Sequence, residues 1–381
     1  MRLTDYLSQK QGVVRRNMEL LFTPDRAYNS GEIIQFKVPK GVWDFSSLVW
    51  AFTAVSGAGN FCRNIEGIIR QINITFDQLD KRIELPRYND YFMTAVEPYI
   101  STSKQQMRQM YSHGAFKTSA SVGQTTPLLV RDWIGAIADL GVIDTRKTGQ
   151  VSIEIVLEDR NAVSGSGTDW SVQDNYIYMD QMDVPHDVLA EMEGLEFTIP
   201  FHYWRFAEQN IYSRQGSVEV WSPSDNIVRL IGTVLDEANM SGASAKNYNY
   251  DYWQISRFIY PARSQASAWF SVNDRDYPEW KPTAGRDWLG LTLNAAKAEG
   301  LPSILINAAE TEGINRWAQG MFAAMMKINS DYLGLVRKEG EPFRLRFNWL
   351  DVAASGSQRL FLWAECIGRL EIGQKGAEIV L

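Results

Sequence analysis

The sequence predicts an all-β chain that folds as two tandem antiparallel β-sandwiches. Short apolar runs with period-two alternation recur along the chain, and Gly, Pro and Ser turns separate them. Each half also ends in the same order of strand, small-residue loop and strand, which indicates a duplicated domain. We therefore expect one sandwich in residues 23–192 and the other in residues 193–381, with the seam near Asp183–Gly194.

Strand patterns occur in a similar order in the two halves. In the first half they are Ile33–Val38, Ser47–Phe52, Ile68–Phe76, Val151–Leu157 and Asn175–Asp180. In the second half they are Phe197–Pro200, Val218–Trp221, Ile227–Leu235, Ser267–Val272, Phe343–Trp349 and Leu360–Ala364. Asp287–Ala298 has the apolar spacing of a helix, and Leu85–Val96 indicates a helix or an irregular crossover.

The first 22 residues predict an amphipathic helix that ends before Pro24. Its apolar residues recur at close to the helical period and are Leu3, Leu7, Val14, Met18 and Leu21. Its other faces are basic and carry Arg2, Lys10, Arg15 and Arg16. Because this helix precedes the first predicted core, we expect residues 1–22 to form an arm that docks elsewhere.

The composition excludes several classes of function. The chain has 381 residues, with 38 basic and 45 acidic side chains and a formal charge of −7, so we expect no specific nucleic-acid binding. The cysteines, Cys62 and Cys366, have no metal-ligand spacing and are expected to be buried free thiols. The N-terminus lacks an apolar signal region, and no segment is apolar enough to span a membrane, so we expect folding in the cytoplasm.

The remaining polar motifs favour structural roles over catalysis. Of the three histidines, we expect His113 in a loop or at a helix end and His186 in a linker. We expect His202 to be packed within an aromatic strand. Ser164–Gly167 lacks the lysine of a phosphate loop, and Asn273–Asp276 does not match a calcium loop. We therefore predict no catalytic residue, no cofactor and no metal ligand. The chain is rich in aromatic residues instead, with 13 Trp, 16 Tyr and 17 Phe, and their bulky, flat side chains suit the inner faces of β-sandwiches.

The order of elements resembles the double jelly-roll major capsid proteins of tailless icosahedral viruses, the lineage of adenovirus hexon and tectivirus-like phages. Ile68–Phe76 followed by Asp80–Glu84 and the crossover Tyr88–Tyr91 is similar to the first roll of that family. Ser267–Val272 followed by Asp276–Pro278 and the predicted helix is similar to the second. The resemblance covers residues 31–373, and we expect tower loops at Ser101–Thr126 and Asp236–Tyr252.

The resemblance implies two eight-stranded jelly rolls and a structural function. Such chains form homotrimeric, pseudo-hexagonal capsomers that tile an icosahedral shell. We therefore expect a virion protein of a bacteriophage that is assembled in the host cytoplasm. The implied partners are further copies of the chain, neighbouring trimers, penton or vertex proteins and minor capsid proteins. An internal lipid membrane or the inner shell would contact Arg2, Lys10, Arg15 and Arg16.

Two other functions remain open on sequence grounds. The first is a carbohydrate- or receptor-binding sandwich, such as a spike or adhesin module. Aromatic side chains stack on sugar rings, and Trp253, Trp280 and Trp288 lie in polar contexts. The second is an enzyme built on a jelly-roll scaffold, which the scarcity of histidine and cysteine disfavours.

Overall fold

Antiparallel strands dominate the computed structural model, so the prediction of an all-β fold is confirmed. The structure describes residues 1–22, 26–56, 65–111, 125–159, 169–222, 226–236, 266–282, 285–296, 323–328, 335–336, 342–352, 358–374 and 376–381. The strands of the first half are β1 (Val14–Phe22), β2 (Tyr28–Asn29), β3 (Ile33–Val38), β4 (Val42–Ser56), β5 (Ile69–Phe76), β6 (Ile83–Pro86), β7 (Thr125–Val130), β8 (Val142–Asp144), β9 (Val151–Leu157) and β10 (Trp170–Asp183). Those of the second half are β11 (Phe197–Asn210), β12 (Gly216–Ser222), β13 (Asn226–Asp236), β14 (Ser267–Val272), β15 (Arg275–Tyr277), β16 (Ala324–Lys327), β17 (Leu335–Val336), β18 (Phe343–Leu350), β19 (Gln358–Gly373) and β20 (Gly376–Val380).

Short helices connect these strands. They are α1 (Leu3–Ser8), α2 (Tyr88–Tyr91), α3 (Thr102–Gln109), α4 (Ala136–Asp139), α5 (Thr145–Thr148), α6 (His186–Glu193) and α7 (Gly285–Ala295). The predicted crossover after β6 is helical, since α2 continues into a π-helical turn at Phe92–Val96 and a 3₁₀ turn at Glu97–Tyr99. The predicted helix of the second half corresponds to α7. The expected tower loops lie largely outside the described residues.

The strands form four sheets, two in each half of the chain. Sheet A has the order β1-β10-β4-β7, and sheet B has the order β3-β9-β5-β6. In the second half, sheet C has the order β11-β19-β13-β16, and sheet D has the order β12-β18-β14-β15. Each of the eight strands in the orders of sheets A and B therefore has a counterpart in sheets C and D, at the same place in the sheet and in the same order along the chain. Sheet A also contains β2 beside β10 and β8 beside β4, and sheet C also contains β20 beside β19 and β17 beside β13. The fold is two tandem jelly rolls, as the sequence predicted.

Alternating side chains from facing sheets fill each roll. Along β18, for example, Phe343, Leu345, Phe347 and Trp349 are buried, while the residues between them are more exposed. The ring of Phe347 lies so close to Gly232 of β13 that a Cβ atom there would be 2.9 Å from it. Sheets C and D thus meet at a glycine because no larger side chain fits opposite this ring. Cys366 is also buried in this roll and is a free thiol, whereas Cys62 lies outside the described residues.

The prediction of one helix over residues 1–22 is wrong beyond Ser8. Gly12 has a φ of +80°, which breaks the helical path, and residues 14–22 form β1 instead. β1 pairs antiparallel with β10, from Val14 opposite Asp183 to Phe22 opposite Ile177. Backbone hydrogen bonds to a neighbouring strand outweigh the helical spacing of these residues. Residues 14–22 of the predicted arm are therefore an edge strand of sheet A in the first roll, and only the short helix α1 precedes that sheet.

Gly232→Ala should lower the free energy of unfolding by about 1–3 kcal/mol, because the added methyl group overlaps the Phe347 ring in a packed core. Gly290→Ala is the matched control: Gly290 lies inside α7 with no atom near its absent Cβ, so it should gain about 0.5–1 kcal/mol in helix propensity. Chemical denaturation of both variants measures these changes. Equal stability of Gly232→Ala and the unmodified chain would contradict the close packing of sheets C and D.

Candidate assembly site at the junction of the two rolls

The four basic residues predicted to contact a membrane or the inner shell do not form one cluster. Arg2 is exposed and precedes the first turn of α1. Lys10 bonds to Glu191 of α6. Arg15 donates to Asp180 at 2.6 Å and to Asp44 at 2.8 Å, and Arg16 donates to Asp183 at 2.8 Å. Lys10, Arg15 and Arg16 thus have carboxylate partners within the chain, and their contact with lipid or the inner shell stays a prediction.

The other polar motifs are engaged in local structure. His202 lies half-buried on β11, where its Nδ1 is 2.7 Å from Oδ2 of Asp139 on α4. His186 is the first residue of α6, and His113 lies outside the described residues. In the Asn273–Asp276 turn, Oδ1 of Asp276 accepts bonds from Trp269 and Ser271. Among the described residues there is no cluster of three or more His, Cys, Asp or Glu side chains that could hold a metal ion.

The three tryptophans considered for sugar stacking lie in different surroundings. Trp288 is fully buried and donates to the carbonyl of Ala268, so it cannot stack on a sugar. Trp280 is exposed, and Trp253 lies outside the described residues. No two of them therefore form an aromatic platform within the part of the chain that the structure describes. That part also contains no helix with the length and apolar character needed to cross a membrane.

An aromatic cluster joins the first roll to the second. Tyr91 of α2 stacks on Trp204 of β11 with ring centroids 4.0 Å apart and an interplanar angle of 2°. The same ring meets the edge of Trp363 on β19 at 6.0 Å. Nε1 of Trp204 donates to the carbonyl of Pro86, at the end of β6, at 2.7 Å. One face of sheet C is therefore covered by aromatic residues of the first roll.

A buried cation fixes the centre of this junction. Arg229 of β13 donates to the Glu365 carboxylate at 2.5 Å, to the Tyr91 hydroxyl at 2.8 Å and to the Ala295 carbonyl at 2.9 Å. Burial opposes the charge on Arg229, yet Glu365 and Tyr91 raise the pKa of the guanidinium above its ordinary value. Burial also raises the pKa of the Tyr91 hydroxyl, so this group stays protonated. The arrangement holds a charge pair and orients the aromatic stack.

Contacts on either side extend the junction. The backbone N–H of His202 donates to Asp139, and Arg87 after β6 donates to Glu208 of β11 at 3.1 Å. Lys81 donates to the carbonyl of Ile379 at 3.0 Å. Residues of the first roll thus contact β11 between His202 and Glu208 and contact β20 at Ile379, and we expect the two rolls to move as one unit.

A second buried cation stabilises the first roll behind the junction. Arg108 of α3 is 2.5 Å from Glu66 and 3.3 Å from Asp132, and it lies over the Phe92 ring at 4.7 Å. Burial raises the pKa of the Glu66 carboxyl above its usual value, although the adjacent Arg108 opposes this shift. These contacts tie α3 to the turns that carry Tyr91. Neither Arg108 nor Arg229 could be predicted as a buried cation, because Arg108 lies in a polar segment and Arg229 is an isolated charge in an apolar strand, and neither pattern signals the partner.

Arg229→Met should lower the free energy of unfolding by about 3–5 kcal/mol, because it leaves the Glu365 carboxylate buried without its guanidinium. The double variant Arg229→Met/Glu365→Leu should lose less than the single variant, since both buried charges are then gone. Chemical denaturation of the two variants gives the comparison. Additive losses would contradict the assignment of Arg229 and Glu365 as a coupled pair.

Comparisons with known proteins agree with this architecture. The chain matches no protein-family model and no curated protein sequence at a significant level. Among solved structures it is similar to VP54 of PBCV-1, with 10% identity, a TM-score of 0.62, and 97% of this chain and 96% of that chain covered. It is also similar to the Faustovirus major capsid protein, with 8% identity, a TM-score of 0.54 and coverages of 98% and 94%. The mavirus major capsid protein has 10% identity, a TM-score of 0.52 and coverages of 96% and 90%.

These similarities extend over nearly the whole of each chain, so they include both rolls and the junction between them. At this level of identity they establish the fold. The chain therefore has the architecture of the double jelly-roll major capsid proteins.

Proposed function

We propose that this chain is a major capsid protein of an icosahedral virus and that its role is structural. The observation that carries the proposal is the duplicated, interlocked pair of rolls, which matches viral capsid proteins along nearly its full length. A rigid unit of two similar rolls is useful for tiling, because three such chains present six similar rolls around one axis. The function requires no catalytic residue, in keeping with the local roles of the described histidines.

The proposed assembly is a homotrimeric, pseudo-hexagonal capsomer that packs against neighbouring trimers, penton or vertex proteins and minor capsid proteins. The proposed location is the virion, after assembly in the host cytoplasm. We also propose that Arg2, Lys10, Arg15 and Arg16 contact an internal membrane or the inner shell, with the last three held by carboxylate partners within the chain. A bacteriophage host stays a prediction from sequence, since the similar structures named above come from PBCV-1, mavirus and Faustovirus.

The purified chain should have three times the mass of one chain by light scattering, and the trimer should persist on dilution because an obligate interface buries extensive apolar surface. Electron microscopy of the same sample should show particles with a six-lobed outline. A stable monomer that is retained on a glycan column would contradict the capsid proposal and favour the carbohydrate-binding alternative.

A further inference from the structure

The two rolls differ in what covers the outer faces of sheets A and C. In the second roll, the outer face of sheet C carries Trp204, Phe206 and Trp363, and residues of the first roll lie against it. The covering residues follow β6, the last strand of sheet B, and include Arg87 and Tyr91. Contact between rolls within the chain thus joins the outer face of sheet C to the segment that follows β6.

The counterpart of this face in the first roll is exposed. It lies on β1 and β10, which correspond to β11 and β19 in the order of the sheets. We call it the first-roll outer face and define it by Met18, Leu20, Tyr176 and Tyr178. The first three are between 40% and 51% exposed, and Leu20 lies opposite Tyr178 in the strand register. The centroids of the Tyr176 and Tyr178 rings are 6.3 Å apart, so the face presents apolar surface beside the ion pairs of Arg15.

The counterpart of the covering segment is also exposed. β15 corresponds to β6, and the segment after it leads to α7 as the segment after β6 leads to α2. Tyr91 lies five residues after Pro86, and Trp280 lies three residues after Tyr277, the last residue of β15. Trp280 is 55% exposed. The second roll thus presents an exposed aromatic side chain in the segment after β15, just as the first roll presents Tyr91 in the segment after β6.

We propose that the first-roll outer face binds the second roll of another copy of this chain, with Trp280 of that copy packed against it. Within the chain, Tyr91 of the first roll packs against the outer face of the second roll. The proposed contact is its equivalent between two copies, so the same kind of interface recurs from roll to roll around a ring. Such head-to-tail contacts form a closed ring when the rotation between successive rolls returns to the start. The inference rests on the proposed trimer and adds which two surfaces form its interface.

The substitution pair Met18→Lys/Leu20→Lys tests the face. Both side chains are exposed, so the variant should fold normally. Under conditions in which both are monomeric, its melting temperature should equal that of the unmodified chain. Removing two apolar side chains from the interface and adding two charges should raise the concentration at which trimers dissociate by roughly tenfold or more. Light scattering over a dilution series measures this concentration.

Ile33→Lys is the matched control. Ile33 is 49% exposed on β3, an edge strand of the same roll, and is thus as accessible as Leu20. Its counterpart strand in the second roll is β12, where Trp221 remains 52% exposed, so the contact between rolls does not use this edge. The control should leave the dissociation concentration unchanged. Equal dissociation by the control and the double variant would overturn the assignment of the face.

Cross-linking tests the partner surface. All chains carry Cys62→Ser, and Cys366 is buried and therefore protected from the reagent. Chains with Leu20→Cys and chains with Trp280→Cys are co-expressed and treated with a short bismaleimide. We expect covalent dimers between the two variants, and none when Ile33→Cys replaces Leu20→Cys. If the unmodified chain is a trimer but neither cross-links nor lysine-induced dissociation occur, this inference fails while the proposed function stands. A chain that is monomeric throughout would contradict both.

Discussion

The stack of Tyr91 on Trp204, held by Arg229, is the interaction on which the architecture depends. Two sandwiches joined by a short linker have no fixed relative orientation unless a specific contact sets it. Here the aromatic rings provide apolar area, and the guanidinium bonds to a carboxylate, a hydroxyl and a carbonyl from separate elements. The capsid role that we propose requires such a fixed orientation, because an error at the junction would change the position of every neighbouring roll.

A buried charge is a costly way to hold such a junction, and its use here has a physical explanation. An apolar side chain at residue 229 would pack without directional preference, whereas a guanidinium that lacks any one acceptor loses the compensation for its burial. Alternative packings of the rolls are therefore penalised more strongly than by apolar contacts alone. The same reasoning applies to Arg108, which lies between Glu66 and Asp132 and secures the segment that carries Tyr91.

The sequence predicted the elements better than the contacts between them. Ile33–Val38 matches an observed strand because period-two alternation reflects burial on one face. Val151–Leu157 and Ser267–Val272 also match observed strands, as short apolar runs that are buried largely on both faces. The junction could not be predicted in this way, since Tyr91, Trp204 and Arg229 come together only through tertiary packing. His202 was expected among packed aromatic residues, and it does lie on β11 beside Trp204, but its partner Asp139 is 63 positions away and has no sequence signal.

The error over residues 14–22 has an informative cause. Val14 and Met18 are four residues apart, which suggested one side of a helix, yet both are exposed on an edge strand. An edge strand with exposed apolar side chains is a liability in a protein that acts alone, because it promotes association. In the trimer that we propose, such side chains form an interface between chains. On this proposal the apolar pattern that misled the helix prediction reflects burial between chains, which secondary-structure periodicity within one chain cannot reveal.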